Sequence, residues 1–370
     1  MTSPTPSMNR KCQSLVGEQV QRRANVFSSP FFQRIAFHRT VSLGGIEQAI
    51  YVHGEDPGMP LLLFLHGGPG LPQTPFAHVN VDLAKSFIVV HWDQRGAGKS
   101  YSPGMSTKLL SIEQFVSDTH ELILWLLQRF GKTRLVLVGH SWGSALGAIV
   151  AARYPHLVAA YVGIGQVSNP RSAELVRFQR ALTLARQNCN RPATEALLRL
   201  GPPPYQSSLK SDSLEQWACR LTGECHRPII SAKFFRFALA SPVYSWLDLL
   251  KIPLGNRFSE RCLWGEIVQT IDLFRQVPHL EMPAYFLLGR YDTVGTYDLA
   301  RDYVNALEAP CGKTFITFED SGHWPHLEEP SRFRAVLTGL VHRELLEHSP
   351  AFPRRLVRPR AIDRGAVLAA

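Results

Sequence analysis

Three short segments of this chain together hold the residue types that nucleophilic catalysis needs. Gly139-His140-Ser141-Trp142-Gly143 has the form Gly-x-Ser-x-Gly, which presents a serine hydroxyl at a sharp turn between a strand and a helix. A serine hydroxyl is a weak nucleophile at neutral pH and needs an adjacent base, which a third group must orient. Candidates lie far downstream, in the order acid then base, within Gly289-Arg290-Tyr291-Asp292 and Ser321-Gly322-His323-Trp324. Ser141 is therefore the expected nucleophile, His323 the general base and Asp292 the acid. Asp298, His326 and His140 are the rivals: Asp298 falls on an expected helix, His326 lies nearer the terminal helix, and His140 should point into the fold. A fourth segment, His66-Gly67-Gly68-Pro69-Gly70, leaves backbone N–H groups unshielded, as an oxyanion hole requires. Its expected donors are the N–H of Trp142 and that of Gly68, with Gly67 as second choice.

These residues can converge only if particular elements carry them. Short runs rich in Leu, Ile and Val (Leu61–Leu65, Phe87–His91, Leu135–Val138, Tyr161–Ile164, Ala284–Leu288 and Thr314–Phe318) read as buried parallel strands. Ile46–Val52 alternates and reads as an outer strand. Helical periods fill the gaps at Ile112–Phe130, closed by Gly131, and at Ser144–Tyr154, Tyr297–Leu307 and Pro330–Leu346. The pattern predicts an α/β fold, a mostly parallel central sheet flanked by helices, with each catalytic candidate just past a strand end. From 168 to 277 the alternation stops and only helical stretches follow, which predicts a helical cap inserted between two halves of the sheet. The expected organisation is a basic, partly disordered N-terminal segment (1–40), a core in two parts (41–167 and 278–347), the cap (168–277) and a basic C-terminal tail (348–370).

The net charge of +10 sits mostly at the ends. Residues 1–40 hold six basic side chains and one acidic, and residues 350–370 hold five Arg and one Asp. A near-neutral body with basic tails has no groove for phosphates, and nucleic acid is not an expected partner. No stretch is apolar for the roughly 18–20 residues of a membrane span, and 1–27 lacks the apolar run of a secretory signal. Cys12, Cys189, Cys219, Cys225, Cys262 and Cys311 have no metal or redox spacing, and His226 beside Cys225 completes no zinc site. Free thiols and a cytoplasmic location are the expectation. The proposed chemistry needs no cofactor, and no metal site is expected.

Taken together these segments, with Trp92-Asp93-Gln94-Arg95-Gly96-Ala97-Gly98-Lys99-Ser100, resemble the proline iminopeptidase family of α/β-hydrolases. The matches run in family order from about residue 46 to 346. The resemblance implies the fold, a Ser-Asp-His triad, a cap over the site, and a small-molecule or short-peptide substrate cleaved through an acyl-enzyme. In the 93–100 stretch, Arg95 and Asp93 are expected to brace the glycine loop rather than touch substrate. Family members that free an N-terminal proline hold its amine with cap glutamates in Trp-Glu segments, whereas here Ala218-Cys219-Arg220 follow Trp217. Glu174, Glu195, Glu215, Glu224 and Glu266 remain as candidate amine anchors, with Glu215 and Glu266 the first choices. A carboxylesterase, or a non-catalytic binding protein on the same fold, are the competing readings.

Overall fold

The computed structural model describes residues 35–222, 232–294 and 297–342. Cys12, Glu224, Cys225, His226 and the C-terminal tail lie outside the described residues. Eight strands form one sheet: β1 (Ile35–Leu43), β2 (Ile46–Gly54), β3 (Leu61–Leu65), β4 (Ile88–Trp92), β5 (Leu135–His140), β6 (Val158–Ile164), β7 (Ala284–Gly289) and β8 (Lys313–Phe318). Their spatial order is β1-β2-β4-β3-β5-β6-β7-β8, antiparallel as far as β4 and parallel beyond it.

Period-two packing accounts for the purely apolar strands. Leu61, Leu63 and Leu65 of β3 face one core, with α1 (Ile112–Phe130) and α2 (Trp142–Arg153). Leu62 and Phe64 face a second core, with Leu83, Phe333 and Leu337. Both faces of the sheet are covered, so the strand sequences do not alternate. The start of α1 is capped by Ser111, whose Oγ accepts from Gln114 N, and its end by Gly131 at φ 61°.

Two expectations need correction at the N-terminal side. The boundary set at residue 40 falls inside β1, and β2 lies between β1 and β4 rather than at an edge. Of the nine residues of β1 only Val41 and Leu43 are buried, so this strand lacks the apolar signal of the others. The predicted last helix also divides, into α11 (Pro330–Val336) and a π-helical turn at Leu337–His342.

Between β6 and β7 the described chain forms α3 (Pro170–Gln187), α4 (Arg191–Leu200), α5 (Ser208–Thr222), α6 (Ala232–Leu239), α7 (Trp246–Thr270) and the single turn α8 (Leu273–Gln276). The remaining helices are α9 (Tyr297–Ala306) and α10 (Pro325–Glu328). No described helix is long and apolar enough to cross a membrane. Five imidazoles, those of His53, His66, His91, His140 and His326, are buried close to the sheet.

Candidate active site

Ser141 stands between β5 and α2 with φ 54° and ψ −122°, a conformation that costs a non-glycine residue energy. Two glycines make the turn possible. A Cβ on Gly139 would lie 2.1 Å from the Gly143 carbonyl oxygen, and one on Gly143 would lie 2.2 Å from that of Leu65. The turn is stitched in place: Ser141 N donates to Ile164 O (2.9 Å), and Ser144 Oγ donates to Ser141 O (2.6 Å).

Past β7, Asp292 is buried, and its Oδ1 accepts from Val294 N (2.9 Å). Past β8, His323 places Nδ1 2.9 Å from Asp292 Oδ2. A carboxylate only accepts, so this nitrogen carries the proton and Nε2 is the basic one. Burial alone would lower the His323 pKa. The charge and hydrogen bond of Asp292, helped by the charge of Glu215, outweigh it and leave the pKa raised. Nε2 has no protein hydrogen-bond partner, so the structure does not join it to the Ser141 hydroxyl. In unliganded sites that bond is often long and tightens only with substrate.

The His323 loop is held on both sides. His140 Nε2–H donates to His323 O (2.9 Å), and the Glu328 carboxylate accepts from Gly322 N (2.6 Å) and Trp324 N (3.3 Å). Of the rivals, Asp298 is exposed and pairs with Arg301, and His326 is buried with Nε2 against Gln73. Burial holds the pKa of His140 well below the usual imidazole value and lowers that of His326 to about 3, so both are neutral.

The glycine loop abuts Ser141, since a Cβ on Gly67 would come within 3.0 Å of Ser141 Cβ. Gly68 and Trp142 share a cavity wall with Ser141, and Gly67 does not line it. Gln94 does the bracing expected of its neighbours. Its N and Nε2 donate to His66 Nε2 and His66 O (both 3.0 Å), and its Oε1 accepts from Trp142 Nε1 (3.1 Å). Asp93 instead accepts from Thr74, Lys99 N and Tyr244, while Arg95 forms a fully buried pair with Asp118 under β1 and β2. From the insert, Asn256 Nδ2 donates to Pro69 O (2.8 Å).

The cavity beside Ser141 holds about 140 Å³. Its far wall comes from the insert: Glu174 and Arg177 on α3, Asp212 and Glu215 on α5, Glu260 and Trp264 on α7. Four carboxylates therefore face one guanidinium. Burial and the charges of Glu260 and Glu215 push the Asp212 carboxyl up to about 6. Burial likewise raises Glu174 and Glu260, against hydrogen bonds that include Tyr205 N on the former and Asn256 on the latter. Arg177 is anchored to the loop that carries Asp292, donating to Thr293 O (2.8 Å) and Val294 O (2.5 Å).

Of the two preferred glutamates, Glu215 lines this cavity and Glu266 does not. The Glu266 carboxylate accepts from Ile112 N (3.2 Å), where it neutralises the N-terminus of α1. Glu195 is exposed and paired with Arg191. Asp212 and Glu260 are not singled out by the sequence: each is one acid among many on amphipathic helices, and only the packing of α5 and α7 brings them to the cavity, with Glu260 half-buried and Asp212 more exposed. Among the described residues no three His, Cys, Asp or Glu side chains are grouped to hold a metal ion.

A mostly parallel sheet with a serine elbow after β5 and a His–Asp pair after β7 and β8 defines a class, and the comparisons place the chain in it. The family model of the alpha/beta hydrolase fold matches residues 60–330. The chain belongs to the α/β-hydrolase family. It is 35% identical over 312 residues to a probable aminopeptidase, YbaC, of Bacillus subtilis, covering 84% of this chain and 97% of that one. A proline iminopeptidase of Heyndrickxia coagulans is 26% identical over 76% of this chain and 91% of its own length. In fold the chain is similar to the crystal structure of a proline iminopeptidase from Mycobacterium smegmatis, with TM-score 0.59 and 21% identity over 85% and 100% of the two chains.

Proposed function

We propose that this protein is a serine hydrolase of the aminopeptidase type, which cleaves small amides or short peptides bearing a free N-terminal ammonium. The observation that carries this reading is the wall of Glu174, Asp212, Glu215 and Glu260 opposite Ser141, with Arg177 as the cation lining it. A desolvated ammonium needs a carboxylate partner, and an anionic substrate end would be repelled. The names of the relatives agree with it.

Ser141 Oγ attacks the substrate carbonyl carbon as His323 Nε2 takes its proton, and Asp292 stabilises the imidazolium. The carbonyl oxygen becomes an oxyanion held by the N–H groups of Trp142 and Gly68. The carbon–nitrogen bond breaks as His323 returns the proton to the leaving amine, which leaves the acyl group on Ser141. Water then attacks with His323 as base, releasing the acid and the serine.

Acetylating the N-terminus of an aminoacyl arylamide should lower kcat/KM by about 30-fold or more, because carboxylates then lose their partner. Equal rates on acetylated and free substrates would leave a general carboxylesterase or amidase. Glu215→Gln should cost free-amine substrates a similar factor and spare neutral esters at neutral pH. The same variant has a pH signature. The base must be neutral, so kcat/KM falls as pH drops through the raised pKa of His323. Removing the Glu215 charge lowers that pKa, and the acid limb should move to lower pH. Free-amine substrates should show a further loss below about pH 6, where Asp212 takes up its proton.

A further inference from the structure

Two neighbouring helices of the insert carry an apolar face that stands exposed among the described residues. Leu239 at the end of α6, and Trp246, Leu247, Leu250 and Leu254 on the first half of α7, are 54–69% exposed. Positions 246, 250 and 254 recur every fourth residue and so form one stripe. The opposite side of the same segment is anchored, with Leu249 packed beside Phe76, Ala238 and Leu327. The stripe is thus the outward face of a fixed helix.

Charge decides what fits it. Arg236, Arg257 and Arg261 are the exposed charged residues from 236 to 261, and no carboxylate there is exposed. Asp248 is turned inward to Lys99 (3.4 Å) and Ser245, and Glu260 lines the substrate cavity. A tryptophan and leucines on one face of a helix, edged by arginines and without acids, match an anionic lipid surface. The apolar side chains enter the acyl boundary and the guanidiniums meet headgroup phosphates. A twofold contact between copies would set the same arginines against each other with no acid to meet them. The whole chain carries +10, which adds long-range attraction to an anionic bilayer.

We propose that the outer face of α6 and the first half of α7 is a peripheral docking surface for anionic membranes. It does not depend on the reading of the active site, since the stripe lies on the first half of α7 and the cavity-lining Glu260 and Trp264 on the second.

The test is co-sedimentation of the full chain with vesicles of phosphatidylcholine alone and of phosphatidylcholine with phosphatidylglycerol. The wild type should sediment with the anionic vesicles. Trp246→Ser/Leu250→Ser keeps every charge, including those of the basic ends, and should bind about tenfold or more weakly with an unchanged melting temperature. If that variant fails to fold, Arg236→Glu/Arg257→Glu serves instead and should weaken binding and its salt dependence. Three results would overturn the proposal: no sedimentation of the wild type, equal sedimentation of the Ser variant through charge alone, or a dimer without lipid binding that the Ser variant dissolves.

Discussion

Ser141→Ala should lower kcat by about 10⁵–10⁶-fold and leave the melting temperature unchanged. The size follows from the role. With the hydroxyl gone there is no acyl-enzyme, and what remains is the catalysis that binding and the oxyanion donors give to water. Folding should be indifferent, because alanine meets the same backbone geometry at φ 54°, and the bonds that hold the turn, to Ile164 O and from Ser144 Oγ, involve Ser141 main-chain atoms. A fluorophosphonate probe should label the wild type stoichiometrically and the variant not at all. Substantial turnover by the variant, after a second independent preparation, would remove Ser141 from the mechanism.

Asp292→Asn should slow the reaction by roughly 10⁴-fold. The carboxylate now fixes the proton on His323 Nδ1 across 2.9 Å and leaves Nε2 basic. An amide can present its NH2 to Nδ1 instead, which favours the other tautomer and leaves no base facing the serine. The variant should also lose the raised His323 pKa, since the Asp292 charge and hydrogen bond are what lift it against burial. Asp298→Asn provides the control. That carboxylate is exposed beside Arg301, and its loss should change kcat by less than about twofold. A crippled Asp298 variant with a mild Asp292 variant would reassign the acid.

The elbow and the His323–Asp292 contact could be anticipated because backbone geometry dictates them locally. A strand, a turn that excludes Cβ atoms at 139 and 143, and a helix leave little freedom, and successive strand ends bring 292 and 323 together. The cavity wall has no such local grammar. Glu266 and Glu260 lie six residues apart on α7, yet one caps α1 and the other lines the cavity beside Ser141, because six residues turn a helix to a different side and only its tertiary packing decides what each side meets. Glu174 was among the candidates without being preferred. β1 was hidden by its polar side chains, which suit a strand at the edge of a sheet.

The buried imidazoles of the core bear on where this protein can remain folded. His53 and His66 have pKa values of about 4 and His326 of about 3, with His91 and His140 also held well below the usual value, chiefly by burial. The unfolded chain takes up protons at these sites once the pH falls below about 6.5, whereas the folded chain refuses them until about 4 or lower. Between those limits acid feeds the unfolded state, at a cost of order 1–2 kcal/mol per histidine by pH 5. The carboxyls that burial raises, those of Asp93, Glu174, Glu260 and Glu328, act the other way, taking up protons more readily in the folded chain and offsetting part of this loss. The urea midpoint should therefore fall from pH 7 to pH 5, and the imidazoles buried beside the sheet set the acid side of the range in which the molecule stays folded.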